Sequence, residues 1–230
     1  MALVFTPNPV PTVPVLGAEE YFPVHRIYCV GQNYGDHVKE MGGDPKQNPP
    51  VFFSKPADAI VTDNAPVRYP PATNNLHHEV ELVVALDRGG RNITVDEAHQ
   101  CVFGYAVGID FTRRDLQAQA KQKGKPWDAA KGFDQSAPVS AINPVADGKH
   151  PQQGRIALRI NDELRQDADL SDMIWSVPEI IYELSRYFEL QAGDLIFTGT
   201  PAGVSAVIAG DHLQAEIETV GEIDFQLVSE

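Results

Sequence analysis

Two glutamates one residue apart, Glu79 and Glu81, sit in the run Leu76-His77-His78-Glu79-Val80-Glu81-Leu82-Val83-Val84-Ala85-Leu86. Val80 to Leu86 is rich in Val and Leu and reads as a buried strand. Residues two apart on a strand point the same way, so His77, Glu79 and Glu81 share one face. Carboxylates this close raise each other's pKa unless a cation lies between them. The pair therefore suits either a divalent cation held by oxygen ligands or a solvated edge-strand face. Asp110 ends the apolar strand 103–109 and could supply a third oxygen. It could equally cap a following helix. Magnesium is held by few carboxylates, with waters and substrate oxygens completing the octahedron. His77 and His78 invite a zinc or iron reading. His77 could instead orient a carboxylate from behind the ligands, and His78 points to the other face.

Other residues could act beside such a cation. His37 and Glu40 are three apart, so on a helix over 34–41 they would touch and form an oriented general base, or a solvated surface pair. Lys131 could stabilise an oxyanion or be an ordinary surface lysine. Thr198-Gly199-Thr200-Pro201 offers two hydroxyls and an open backbone, which suits a carboxylate or a tight turn. Lys55, Arg113 and Arg114 are candidate anion binders.

These residues need elements to position them. Prolines 7, 9, 11 and 14 forbid helix near the start, so residues 1–22 read as an extended arm and 23–230 as a single domain. Strands are expected over 26–30, 51–54, 76–86, 103–109, 156–160, 194–197, 213–217 and 223–228. Residues 95–101 and 112–121 read as helices, and 122–135 as a loop. Ser176-Val177-Pro178-Glu179 is a capping box opening a core-packed helix. Strands outnumber helices, and no internal repeat is present.

The chain has 230 residues and a net charge of −14, which disfavours nucleic acid and anionic membranes. Its two cysteines, Cys29 and Cys101, lie in apolar runs and read as buried thiols, which points to a reducing cytoplasm. The N-terminus lacks the basic region of a signal peptide, and no apolar run approaches a membrane span.

Taken together, the segments Gly31-Gln32-Asn33-Tyr34-Gly35-Asp36-His37, Lys55-Pro56, Asn75 to Leu82, Asp110-Phe111-Thr112-Arg113-Arg114-Asp115, Lys123 to Lys131, Asn161 to Gln166 and Gly193 to Pro201 resemble the fumarylacetoacetate hydrolase superfamily. The resemblance covers roughly residues 24–228 and lies nearest the small acylpyruvate and fumarylpyruvate hydrolases. It implies a mainly β, mixed β-sandwich or roll with few helices (α+β), a Mg2+ or Mn2+ ion, and a homodimer. It implies Glu79, Glu81 and Asp110 as metal ligands and His37 with Glu40 as the water-activating pair. Lys131 and Gln117 would lie around the reacting carbonyl, and Arg114 and Thr200 against a substrate carboxylate. Gln32 departs from the arginine that many relatives carry in the Gly-x-Asn-Tyr segment.

The reaction this resemblance implies is hydrolytic C–C cleavage of a 2,4-dioxo acid. His37 would deprotonate water for attack on the 4-carbonyl, Lys131 and Gln117 would steady the oxyanion, and pyruvate enolate would leave. For fumarylpyruvate, Arg113 or Lys55 would meet the distal carboxylate. Oxaloacetate decarboxylation, hydration or isomerisation of a 2-oxo dienoate, and metal-dependent 2-oxo acid binding without turnover are the alternatives.

Overall fold

The computed structural model describes residues 3–35 and 49–229. His37, Glu40 and most of the helix expected over 34–41 lie outside the described residues. The larger strands are β1 (Thr12–Pro14), β2 (Tyr21–Pro23), β3 (Ile27–Gly31), β4 (Val51–Lys55), β5 (Val80–Leu86), β6 (Val102–Ile109), β7 (Arg155–Ile160), β8 (Glu163–Asp169), β9 (Leu195–Phe197), β10 (His212–Ile217) and β11 (Gly221–Val228). A six-stranded sheet runs Asn143–Pro144, β6, β5, β9, β3, β4. Its neighbours are antiparallel except β9 and β3, which run parallel. A five-stranded sheet runs β8, β7, β10, β11, Val67–Arg68.

Alternation explains how the sheets stack. Leu82, Val84 and Leu86 of β5 join one core with Ile156 and Leu158 of β7, Leu213 of β10 and Phe225 of β11. Val83 and Ala85 point the other way, into a second core with Cys29, Ala106 and Phe197. Every residue of β5 is buried, which is why, Glu81 apart, it reads as an apolar run. The fold is the mainly β sandwich with few helices that the sequence led us to expect.

The proline-bearing N-terminal segment is more than an extended arm. β1 pairs with β2, and Val13, Val15 and Phe22 are buried in the second core. Residues 163–169, unassigned in the sequence, pair with β7 through the turn Asn161-Asp162. Both turn residues have positive φ, 50° and 67°, as a two-residue hairpin of the twist-matching type requires.

Among the described residues the α-helices are α1 (Val95–Ala98), α2 (Arg114–Lys123), α3 (Asp128–Lys131) and α4 (Val177–Tyr187). α4 is capped as expected, with Glu179 accepting from the Ser176 backbone N–H and hydroxyl at 2.9 and 2.8 Å. α2 starts two residues later than expected, because Thr112–Arg113 first pairs with Leu76–His77. The stretch expected as loop over 122–135 contains α3, which places Lys131. Cys29 and Cys101 are buried free thiols.

Gly108 of β6 lies opposite Glu81 and faces the second core. A Cβ there would meet Val83 Cγ2 at 2.5 Å and Phe197 Cε1 at 2.6 Å. Gly108→Ala is expected to destabilise the protein by about 1–3 kcal/mol through overpacking, read as a lowered urea midpoint at unchanged slope.

Candidate active site

Strand register builds the acidic cluster. β5 and β6 pair with Val80 opposite Ile109 and Glu81 opposite Gly108. One step outward, the Asp110 N–H donates to the Glu79 carbonyl at 2.9 Å, so Glu79 faces Asp110 across the ladder. Glu79, Glu81 and Asp110 therefore share one face. Each offers an oxygen, and these lie within 4.8 Å of one another. All three side chains are buried. β9 flanks β5 with Phe197 opposite Val83, which brings the next turn over Glu81. There the Gly199 N–H donates to Glu81 Oε2 at 2.8 Å. Gly199 has φ +98°, and a Cβ on it would meet Asn33 Cβ at 2.7 Å, so this turn requires glycine.

Three cations pair with two of the three carboxylates, Glu79 and Asp110. Lys131 Nζ donates to Glu79 Oε2 at 2.7 Å and Asp110 Oδ2 at 2.6 Å. Arg114 Nη2 donates to Glu79 Oε1 at 2.5 Å, and Thr112 Oγ1 donates to the same oxygen at 3.1 Å. Lys55 Nζ forms an ion pair with Asp110 Oδ1 at 2.8 Å, and among the described residues that buried oxygen has no hydrogen-bond partner. The environments of the two glutamates diverge. Burial would raise Glu79, but the Lys131 ammonium and Arg114 guanidinium outweigh it and hold Glu79 well below the usual carboxylate range. Burial, then the charges of Asp110 and Glu79, push Glu81 well above that range. Burial would lower Lys131, yet Asp110 and Glu79 raise it, so its ammonium stays charged.

A set of buried carboxylate oxygens, one of them lacking a hydrogen-bond donor, matches a hard divalent cation. Among the described residues no imidazole enters it. His77 Nε2 meets Asn75 Oδ1 at 2.9 Å rather than a carboxylate, so it does not serve as the orienting residue considered above. Asp110 does not cap α2, whose first residue is Arg114.

Gln117 lies beside this cluster with a defined polarity. Its Oε1 accepts from Arg114 Nη1 at 2.7 Å, which leaves its amide protons to donate. The two further candidate anion binders, Lys55 and Arg113, sit in different surroundings. Lys55 is fully buried, donates to the Phe111 and Lys131 carbonyls and pairs with Asp110. Arg113 donates to the Ala129 carbonyl at 3.0 Å and lies 4.3 Å over the Phe133 ring, with no carboxylate partner.

Three buried polar residues hold the site's walls; sequence reading gave Asn33 and Gln166 no role and weighed His78 only as a metal ligand. Asn33 accepts from the Trp175 N–H at 2.7 Å and donates to the Thr198 carbonyl at 2.8 Å. His78 meets Gln166 Oε1 at 2.9 Å and Ser205 Oγ at 3.0 Å. Burial pushes His78 down to about 4, so it is neutral. Gln166 Nε2 donates to Thr200 Oγ1 at 2.8 Å. The signal for Asn33 and Gln166 was present only as membership of matching segments, since an amide's partners are set by tertiary structure.

Comparison with known proteins agrees with this geometry. Residues 26–228 match the family described as fumarylacetoacetate (FAA) hydrolase C-terminal. The chain is 45% identical over 172 residues to a fumarylpyruvate hydrolase of Ralstonia sp, covering 75% of this chain and 89% of that protein. It is also 45% identical over 201 residues to a mitochondrial oxaloacetate tautomerase of Rattus norvegicus, covering 87% and 90%. The crystal structure of fumarylpyruvate hydrolase from Pseudomonas aeruginosa in complex with Mn2+ and pyruvate matches with a TM-score of 0.96 at 44% identity, over 100% of both chains. The chain belongs to the fumarylacetoacetate hydrolase family.

Lys131 is the buried cation shared by Glu79 and Asp110. Lys131→Met would leave both carboxylates under-compensated, and the protein in a chelator should lose about 3–5 kcal/mol of stability, measured by urea unfolding.

Proposed function

We propose that this protein is a Mg2+- or Mn2+-dependent hydrolase that cleaves the C–C bond of an acylpyruvate, with fumarylpyruvate giving fumarate and pyruvate. The observation that carries this reading is the buried oxygen trio of Glu79, Glu81 and Asp110, ringed by Lys131, Arg114 and Gln117. A full-length match to a fumarylpyruvate hydrolase bound to Mn2+ and pyruvate supports it. Glu79, Glu81 and Asp110 are the residues that would hold the metal. When bound, the ion supplies Lewis-acid stabilisation of the enolate charge that develops on the pyruvyl half.

The chain's own groups do the rest. Arg114 and Thr200 receive the pyruvyl carboxylate. His37, oriented by Glu40, takes a proton from water, and the resulting hydroxide adds to the 4-carbonyl. The charged Lys131 and the free amide protons of Gln117 steady the oxyanion. The C3–C4 bond then breaks, the acyl carbon leaves as a carboxylic acid, and C3 is protonated to give pyruvate. Lys55 acts beneath Asp110, pairing with that buried carboxylate at 2.8 Å. We assign the working form as a cytoplasmic homodimer whose catalytic domain spans residues 23–230.

A second reading follows from the equal identity to an oxaloacetate tautomerase. A proton shuttle between C3 and the enol oxygen would need the same carboxylate grip without water attack. An absorbance assay in Mg2+ across fumarylpyruvate, acetylpyruvate and oxaloacetate separates the two. The expected result is chelator-sensitive loss of fumarylpyruvate with equal pyruvate formed. Consumption of oxaloacetate alone overturns the hydrolase reading. His37→Ala should lower kcat by roughly 10²–10⁴-fold, and unchanged turnover would remove His37 as the base.

A further inference from the structure

Gln166 is buried and uses every hydrogen-bonding position of its amide. Its Oε1 accepts from the Val80 N–H at 3.0 Å and meets His78 Nδ1 at 2.9 Å. Its Nε2 donates to Thr200 Oγ1 at 2.8 Å and to the Pro201 carbonyl at 2.9 Å. Two of these partners are backbone groups whose polarity cannot change. The Val80 N–H must meet the oxygen, and the Pro201 carbonyl must meet the nitrogen. The amide is therefore held in one orientation from both ends.

That orientation propagates. His78 must carry its proton on Nδ1, which leaves Nε2 to accept from the Ser205 hydroxyl. In the other direction, Thr200 Oγ1 must accept from Gln166, so the hydroxyl proton of Thr200 can only point elsewhere. Among the described residues no acceptor takes it. Thr200 is half-buried, one residue past Gly199, whose N–H already holds Glu81. Gly203 in the same loop has φ +96° and lies so close to the Arg165 carbonyl that a Cβ would sit 2.1 Å from it. The loop is thus pressed against the strand that carries Gln166.

We propose that Gln166 is a positioning residue that makes Thr200 an obligate hydrogen-bond donor to the carboxylate of the 2-oxo acid. This rests on the acylpyruvate reading above. The chain of bonds runs in one sense, from Ser205 through His78 and Gln166 to Thr200, and ends on a proton offered to an anion. Val80 lies between Glu79 and Glu81, so the same amide couples that donor to the strand holding the acidic trio.

The test is a double-mutant cycle on the Mn2+-loaded protein, with Gln166→Met, Thr200→Val and the pair. Readouts are the Kd of pyruvate by calorimetry, KM and kcat for acetylpyruvate and fumarylpyruvate, and the Mn2+ affinity without organic ligand. Each single variant is expected to weaken pyruvate about tenfold or more, the size of one hydrogen bond to a charged group. KM should rise with a much smaller change in kcat, Mn2+ affinity should stay near wild type, and the double variant should bind pyruvate no more weakly than Thr200→Val alone. Fully additive losses, or a Gln166→Met protein that binds pyruvate normally, overturn the proposal. If Gln166→Met does not fold, Thr200→Ser against Thr200→Val decides: Ser must keep binding, and Val binding as well as wild type overturns it. A wild-type protein that neither binds pyruvate nor turns over an acylpyruvate would instead overturn the functional reading itself.

Discussion

Three buried carboxylates, brought together on one face, set the constraint on which the rest of the structure depends. Alone, one such ion out of water costs several kcal/mol, and three together would repel strongly. The sheet register forces them together, because Glu79 and Asp110 are cross-strand partners and Glu81 is two residues further on. Lys55 from β4, Lys131 from α3 and Arg114 from α2 must then arrive to compensate them. The positions of three separate elements are thus dictated by one electrostatic requirement.

The compensation is uneven, and the unevenness matters. Glu79 is held by two cations and a hydroxyl, Asp110 by two lysines, and Glu81 by a single backbone N–H. Glu81 is the least compensated of the three. It is the carboxylate that most needs a further positive charge, which is the property of a ligand awaiting a cation. The structure thus holds two of the carboxylates ready and leaves the third in tension.

Much of this was legible in the sequence because it depends on local periodicity. Alternation along 79–81 placed two carboxylates on one face, and the capping box at Ser176 marked α4. Helix α3 was read as loop, since four residues beside Gly, Pro and Trp carry too little periodicity to show. The β1–β2 hairpin was hidden by its prolines, which exclude helix but say nothing of pairing at an edge. The surroundings of Lys55 and Arg113 were not legible, because sequence shows a charge but not its partner. Lys55 pairs with a residue 55 positions away, and only the sheet order reveals that. Gln166 was invisible as an actor for the same reason.

The central position of β9 carries one more consequence. It lies between β5 and β3, although more than a hundred residues separate it from β5. The six-stranded sheet therefore cannot close by adding hairpins in chain order. On a ribosome, β5 and β6 emerge early and can pair as neighbours, setting Glu79 against Asp110. The slot beside them stays vacant until residues 195–199 are made. Glu81 receives the Gly199 N–H at that insertion, so the nascent chain carries its acidic strand for about half of synthesis before that donor exists.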